Sequence, residues 1–479
     1  MATTSTLLLV GGLVLLVGTA QAQASLFAPV VTYPAGSGPR SLAVADINND
    51  GKTDVVTANQ NGNTVGVLLG NGNGTFQAVA TYSTGAASNP YDIAVADVND
   101  DGWPDLLTAN YGSNSAGVLL GSGNGTFQAA VSFATGVTNG APTSIAVTDI
   151  TGDGKLDLIT TNSLGYSISI FAGSGLGSFQ VPMSYPVGAN AAPLDVSVAD
   201  LNSDGRPDAV VASAGSNTVT VLLGRGGNGY QSGPYSVGMG ASFTPFGVAT
   251  GDVNGDGRPD VVTANSGNNT VSVLLNQGTG LGAAASFQSA VSPVNIAVAD
   301  LDLDGRPDLL TANPGDPAIA VLLGNGNGTF QPFVKYLSNT GNQPTSLLVA
   351  DVNGDGRPDV LTANMGGTVG VLLNATGKPL AVQAALPGAT ATLHPNPAAA
   401  YATLTLGGLP ALVAQVQATL LDATGRAVRQ YALAARQGSA RTEVPTAGLA
   451  PGLYLLRLAA LDAAGAPAGV LPTQRLSVR

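Results

Sequence analysis

Short apolar runs of four to eight residues follow one another from Phe27 to Asn374, each bounded by glycine, asparagine or aspartate. SLAVA, DVVTAN, TVGVLLG and FQAVATY are typical. They are rich in β-branched residues and too short for helices, so they predict strands. The runs recur in a fixed order, with a nine-residue polar segment between the first and the second. DVNGDGRPD at 252–260 returns letter for letter at 351–359. Equivalent segments begin at Asp46, Asp97, Asp149, Asp200 and Asp300, and the spacings across all seven are 51, 52, 51, 52, 48 and 51. A period near 50 with about four short strands per unit predicts an all-β fold of stacked units or propeller blades.

The polar segments align as D-x-[N/D/T]-x-D-G-x-x-D. Oxygen-bearing side chains stand at positions 1, 3, 5 and 9, and position 6 is glycine in every copy (51, 102, 154, 205, 257, 305, 356). Alternating oxygens around such a glycine wrap a chain about one hard cation, with the position-7 carbonyl turned inward. A set of oxygens without histidine or cysteine points to calcium, not zinc. The predicted ligands are Asp46, Asn48, Asp50, Lys52 and Asp54 in the first loop and Asp97, Asn99, Asp101, Trp103 and Asp105 in the second. The third offers Asp149, Thr151, Asp153, Lys155 and Asp157, and the fourth Asp200, Asn202, Asp204, Arg206 and Asp208. The fifth offers Asp252, Asn254, Asp256, Arg258 and Asp260, the sixth Asp300, Asp302, Asp304, Arg306 and Asp308, and the seventh Asp351, Asn353, Asp355, Arg357 and Asp359. Position 7 contributes its carbonyl only, so its side chain is expected to point outward, where a basic group either screens the carboxylate cluster or is a solvated turn residue. Position 9 is expected to close the cage, since no glutamate stands at position 12. Thr151 predicts the weakest site and Asp302 the tightest. Up to seven structural Ca2+ ions are expected, one per blade.

Charge supports this reading and marks a boundary. The loops hold 23 of the 29 acidic residues. Residues 1–379 carry 26 acidic and 10 basic residues, whereas residues 380–479 carry 3 and 7. The acidity belongs to the sites, and the balance of −12 excludes nucleic acid as a partner. There is no cysteine, and so no thiol chemistry. Residues 1–24 read as an export signal. Leu7–Gly18 is too short to span a bilayer and small residues follow it, although MATTST lacks the usual basic residue. No other segment is long enough for a transmembrane helix. The organisation is then a signal peptide (1–24), a propeller (25–376), a linker (377–384) and a C-terminal domain (385–479), expected as a monomer.

On these motifs the chain resembles the FG-GAP (VCBS-like) repeat family, as in the propeller of integrin α-subunits. The resemblance covers about 27–374, with the glycine-alanine-proline signature loosely kept at Gly140-Ala141-Pro142. It implies a seven-bladed β-propeller in which each calcium loop joins the first and second strands of a blade, on the lower face. The seventh unit lacks a fourth strand, and FAPVVTY at 27–33 matches FQAVATY at 76–82. The N-terminal strand is therefore predicted to complete the last blade and remove the open edges. His394-Pro395-Asn396-Pro397, GLAPGLYLLRL at 448–458 and the ending QRLSVR resemble the type A C-terminal sorting domain of type IX secretion substrates. That resemblance implies a small β-sandwich, the type IX machinery as a partner, and export to the outer surface or beyond. His394 replaces the usual tyrosine and reads as a turn residue.

Few groups remain for chemistry. The propeller region has no Glu, His or Cys, and only Asp92, Asp195 and Asp316 lie outside the loops. Asp92 and Asp195 begin equivalent innermost strands and would face each other across the channel mouth. A glycosidase or polysaccharide lyase thus stays open, although Ser41, Ser144 and Ser346 hold the same place and suggest strand-entry capping. The residue after each strand-opening proline is not repeated: Arg40, Tyr91, Thr143, Leu194, Phe246, Val294, Thr345. A scaffold repeats its residues, while a ligand needs different groups on different blades. Arg40, Tyr91 and Phe246 are the candidate contacts. The repeated Asn59, Asn110, Asn162, Asn265, Asn313 and Asn364 suggest turns, or amides facing a glycan. The predicted function is a secreted or surface-displayed module that binds glycan or protein, with no catalytic residue assigned; a purely structural surface protein is the other alternative.

Overall fold

The computed structural model describes residues 26–224, 230–238, 242–338, 343–376, 389–394, 400–411, 413–421, 427–447, 449, 452–461 and 467–478. The predicted signal peptide, the linker and Pro395-Asn396-Pro397 lie outside the described residues. The chain divides into two units, 1–376 and 377–479.

In the first unit, β1 (Val31–Pro34) stands apart in sequence from the sheet that follows. That sheet consists of β2 (Pro39–Ala45), β3 (Asp54–Asn59), β4 (Thr64–Leu68) and β5 (Ala80–Ser83), paired antiparallel in order. The same four-strand order recurs, giving seven such sheets. The first strands of neighbouring sheets lie side by side, and the seventh returns to the first, so the sheets form a ring of blades. As predicted, β1 completes the last blade. It pairs with Thr368–Leu372 in the register Val31↔Val371 to Pro34↔Thr368.

Burial follows from the ring. All six residues of β3 are buried, as are those of its six equivalents, because neighbouring blades cover both faces. The apolar clusters lie between blades: Val56, Val65 and Val67 of the first pack on Ile93, Leu106 and Leu119 of the second. The Phe and Tyr of the fourth-strand runs serve the same packing. Tyr33 meets Phe76, Tyr82 meets Phe127, and Phe133 meets Phe179, each edge-on across a blade junction at 5.3–5.4 Å between ring centroids. Such geometry adds about 0.5–1.5 kcal/mol per pair beyond area burial.

The second unit has a three-stranded sheet (Thr390–His394, Tyr401–Gly407, Ala440–Pro445) and a four-stranded one (Ala427–Ala434, Gln415–Leu421, Gly452–Leu461, Pro467–Val478). Leu404 and Leu406 of the first sheet share one core with Val416, Leu420, Leu456 and Leu476 of the second. Among the described residues no helix is long and apolar enough to cross a membrane.

Candidate functional site

Each acidic loop joins the first two strands of its blade, at the end of the ring opposite the strand-opening prolines. In the first loop, Asp46 accepts the backbone N–H of Asp50 at 2.9 Å and of Gly51 at 2.7 Å, and Asp50 accepts that of Lys52 at 3.0 Å. The other loops repeat this ladder. It draws the oxygens of positions 1, 3 and 5 toward the inside of the turn. The position-6 glycines have φ of 76–85°, where a Cβ is disfavoured.

Position 9 does more than sequence reasoning assigned to it. Asp54 is fully buried, and its two oxygens accept the N–H of Ile47 at 2.9 Å and of Gly70 at 2.6 Å. It fastens the loop to the end of the third strand, and each oxygen keeps a second lone pair for a cation. Burial pushes Asp105, Asp308 and Asp359 up to about 6, and the neighbouring loop carboxylates add to the shift against these backbone donors. Such a cluster relaxes when a divalent cation neutralises it. In the sixth loop, one oxygen each from Asp300, Asp302 and Asp304 lies within 4.8 Å of the others. In the third, the Thr151 hydroxyl is buried without a hydrogen-bond partner. Both observations fit a hard cation. The basic position-7 side chains lie beside the loop carboxylates. In four loops they turn back onto the position-5 aspartate, as Lys52 does on Asp50 at 3.0 Å and Arg258 on Asp256 at 2.5 Å. They place a positive charge beside the clustered carboxylates.

At the opposite end, Arg40, Tyr91, Thr143, Leu194, Phe246, Val294 and Thr345 all line one concave mouth. The register of the first strand slips just after its opening proline, so Arg40, Tyr91, Leu194, Phe246 and Thr345 each fall in a bulge. A bulge re-aims the side chain, here toward the axis. The Arg40 guanidinium lies 4.2 Å from the Tyr91 ring centroid, hydrogen-bonds its hydroxyl, and sits 5.9 Å from the Phe246 ring. It has no carboxylate partner among the described residues. Tyr111, which the sequence did not suggest, backs Tyr91 at 5.8 Å. Thr143 and Thr345 are buried and spend their hydroxyls on neighbouring backbone.

Below this rim runs a polar belt. Asp92 and Asp195 do not face each other across the mouth; both reach Ser144, which stands on the blade between them. Asp92 also accepts Ser41 Oγ at 2.6 Å and the N–H groups of Ile93 and Ile145 at 2.9 Å. Asp195 accepts those of Val196 and Val248 at 2.9 Å. Asn295, which the register with Asp92 would have found, links to Leu347 N–H at 3.0 Å. The second, fourth and sixth blades thus each clamp the next. Both carboxylates keep some accessible surface but lie on the floor of the mouth, surrounded by protein. Burial raises Asp92; burial, and then the Asp92 charge, push Asp195 up to about 7. A carboxyl raised in the folded state stabilises it fully below the unfolded value of about 3.9, and this contribution is lost as pH rises through about 7. In saturating calcium, wild type is expected to lose on the order of 2 kcal/mol relative to Asp195→Asn between about pH 4 and 7. Parallel urea curves for the two proteins at each pH would contradict this.

The repeated asparagines are not exposed. Asn59, Asn110, Asn162, Asn265, Asn313 and Asn364 are fully buried, so a glycan does not reach them. Asn59 Nδ2 donates to Ala35 O at 2.9 Å, and Asn265 Nδ2 to Ser272 Oγ at 2.7 Å. Their work is to join strands within and between blades.

Residues 46–108, 97–160, 149–211, 209–263, 252–311 and 300–362 match the FG-GAP-like repeat family. Residues 392–464 match the secretion system C-terminal sorting domain. No curated protein matches the sequence. Among solved structures, the chain is similar to the extracellular domain of a hybrid two-component system from B. thetaiotaomicron, with 11% identity and a TM-score of 0.48. That likeness covers 95% of this chain, which spans only 59% of the other's length. A protein from Lactobacillus plantarum is similar at 16% identity and TM-score 0.46, over 64% of this chain and 86% of that one. The periplasmic gluconolactonase of Pseudomonas aeruginosa is similar at 17% identity and TM-score 0.48, over 63% and 87%.

Proposed function

The chain belongs to the FG-GAP-like repeat family and ends in a type IX secretion sorting domain, which directs it to the cell surface or beyond; from that premise we propose that it is a calcium-stabilised binding module. Its ligand, a glycan or a protein, is met by the mouth opposite the acidic loops. The observation that carries this reading is the contrast between the two ends of the ring. The loops repeat one constellation, whereas the mouth gathers unlike residues and holds Arg40 between Tyr91 and Phe246. The cavity there is about 50 Å³. That is room for a water or two, not for a sugar ring, so the ligand rests on the rim. A cation flanked by aromatic faces suits a sugar or a side chain bearing polar groups.

A carboxyl raised to about 7 in a cleft is also what a general acid offers, which is the observation favouring a carbohydrate-active enzyme. Binding remains the better-supported reading, because each oxygen of both carboxylates already accepts a hydrogen bond within the scaffold. The test is a glycan and surface-protein array with and without calcium. Saturable binding should weaken at least about tenfold in Tyr91→Ala and in Phe246→Ala. Binding that ignores both changes would sink the mouth as the site, and no binding at all would leave a structural surface protein. Turnover of a bound polysaccharide, lost in Asp195→Asn, would favour the enzyme.

A further inference from the structure

The blade junctions are not all filled alike. Among the described residues, five of them carry an edge-on ring pair between neighbouring blades: Tyr33–Phe76, Tyr82–Phe127, Phe133–Phe179, Phe287–Phe330 and Phe27–Tyr336, with centroids 5.0–5.4 Å apart. Between the fourth and fifth blades, Tyr235 takes its usual place but the second ring is absent. Where the first blade bridges Gly70 to Phe76, the fifth bridges Asn276 to Leu281. That loop is one residue shorter and ends on leucine, which accounts for part of the 48-residue spacing of this unit.

The missing ring leaves a cavity of about 170 Å³. Leu201, Val221, Leu223, Tyr235 and Leu281 form its apolar wall, while Asn202 and Thr279 stand exposed at its opening. A cavity of about 150 Å³ with apolar walls is enough to hold benzene. The Tyr235 hydroxyl makes no hydrogen bond among the described residues, whereas the equivalent Tyr82 donates to Gly125 O at 3.0 Å. An aromatic face, the volume of one ring and a polar group left unused thus meet in one place.

We propose that this junction cavity binds a free small monocyclic aromatic molecule with one hydrogen-bonding substituent, a phenol, whose ring takes the place that phenylalanine fills in those five junctions. The hydroxyl of such a ligand has Tyr235 and Thr279 as partners. The site is on a different junction face from the mouth and does not depend on what binds there.

The test uses the calcium-loaded full chain, with phenol and cyclohexanol as probes, read by calorimetry and thermal melting. Phenol should bind saturably and raise the melting temperature. Cyclohexanol, of the same size without a π face, should bind about 2- to 10-fold more weakly. Leu281→Phe should restore the ring pair, raise the melting temperature without ligand, and weaken phenol binding at least about tenfold. Leu223→Phe fills the same space from the opposite wall and serves if the first variant does not fold. Absence of phenol binding, or binding unchanged in the filled variants, overturns the site. Equal binding of phenol and cyclohexanol overturns the aromatic class.

Discussion

Excess EGTA is expected to lower the melting temperature of the propeller by on the order of 10 °C. Extracellular calcium modules of this kind have dissociation constants of about 10⁻⁴ to 10⁻³ M. At about 1 mM calcium, a site at the tight end of that range contributes about 1.4 kcal/mol by mass action. Seven such loops therefore give on the order of 10 kcal/mol together. Repulsion adds to the effect, because residues 1–379 carry 26 acidic and only 10 basic residues when no cation is bound. The pH dependence is a second readout. Asp105, Asp308 and Asp359 stand at about 6 without calcium, so the chelated protein is most stable below the unfolded value of about 3.9 and loses that contribution as pH rises through about 6. Calcium binding needs the same groups ionised and strengthens in that direction. The gap between loaded and chelated melting temperatures should therefore widen from pH 5 to pH 7.5. Thr151→Asp should tighten the third site, and Asp302→Asn should weaken the sixth. A melt that EGTA leaves unchanged would remove calcium from the account.

The register of the loops in the sequence was enough to count the blades, and the match of FAPVVTY to FQAVATY was enough to close the ring. Both are repeats, and a repeat reveals what every unit must do. What each unit does differently was harder to read. Arg40 and Phe246 were identifiable as unrepeated, but that they share one cation–aromatic contact depends on the curvature that brings the first and fifth blades to one axis. Asp92 and Asp195 looked like facing carboxylates because they start equivalent strands. Their common partner, Ser144, stands between them on the ring, and that takes the place of an opposition across it. The asparagine ring was ambiguous for a different reason. A second strand covered on both faces has no polar–apolar alternation, so its pattern does not say which side meets solvent. The junction cavity was written in the sequence as a leucine in place of phenylalanine at 281. It becomes a cavity only against Tyr235 of the preceding blade.

Removing residues 26–34 is expected to destabilise the propeller less than removing calcium, and in a different way. β1 is the strand that the start of the propeller adds to its last blade, alongside the packing of the first strands of blades one and seven. It contributes four paired positions to Thr368–Leu372, and Ala28 N–H donates to Leu373 O at 2.9 Å. Phe27 is 4% exposed and packs edge-on against Tyr336 at 5.0 Å, while Tyr33 crosses to Phe76. Burial of Phe27 alone is worth about 2–3 kcal/mol, and the two ring pairs and the strand pairing bring the loss to on the order of 5 kcal/mol. The exposed strand TVGVL would then present unpaired backbone groups on an apolar edge, a template for another chain. The truncated protein should therefore melt well below wild type and sediment as aggregates at concentrations where wild type does not. A synthetic peptide of residues 26–36 should restore both properties, because it returns the strand without the covalent link. Phe27→Ala should reproduce about 3 kcal/mol of the loss without aggregation, since the edge stays paired. If the truncated chain does not aggregate and its melt is unchanged, ring closure through β1 does not hold the propeller together.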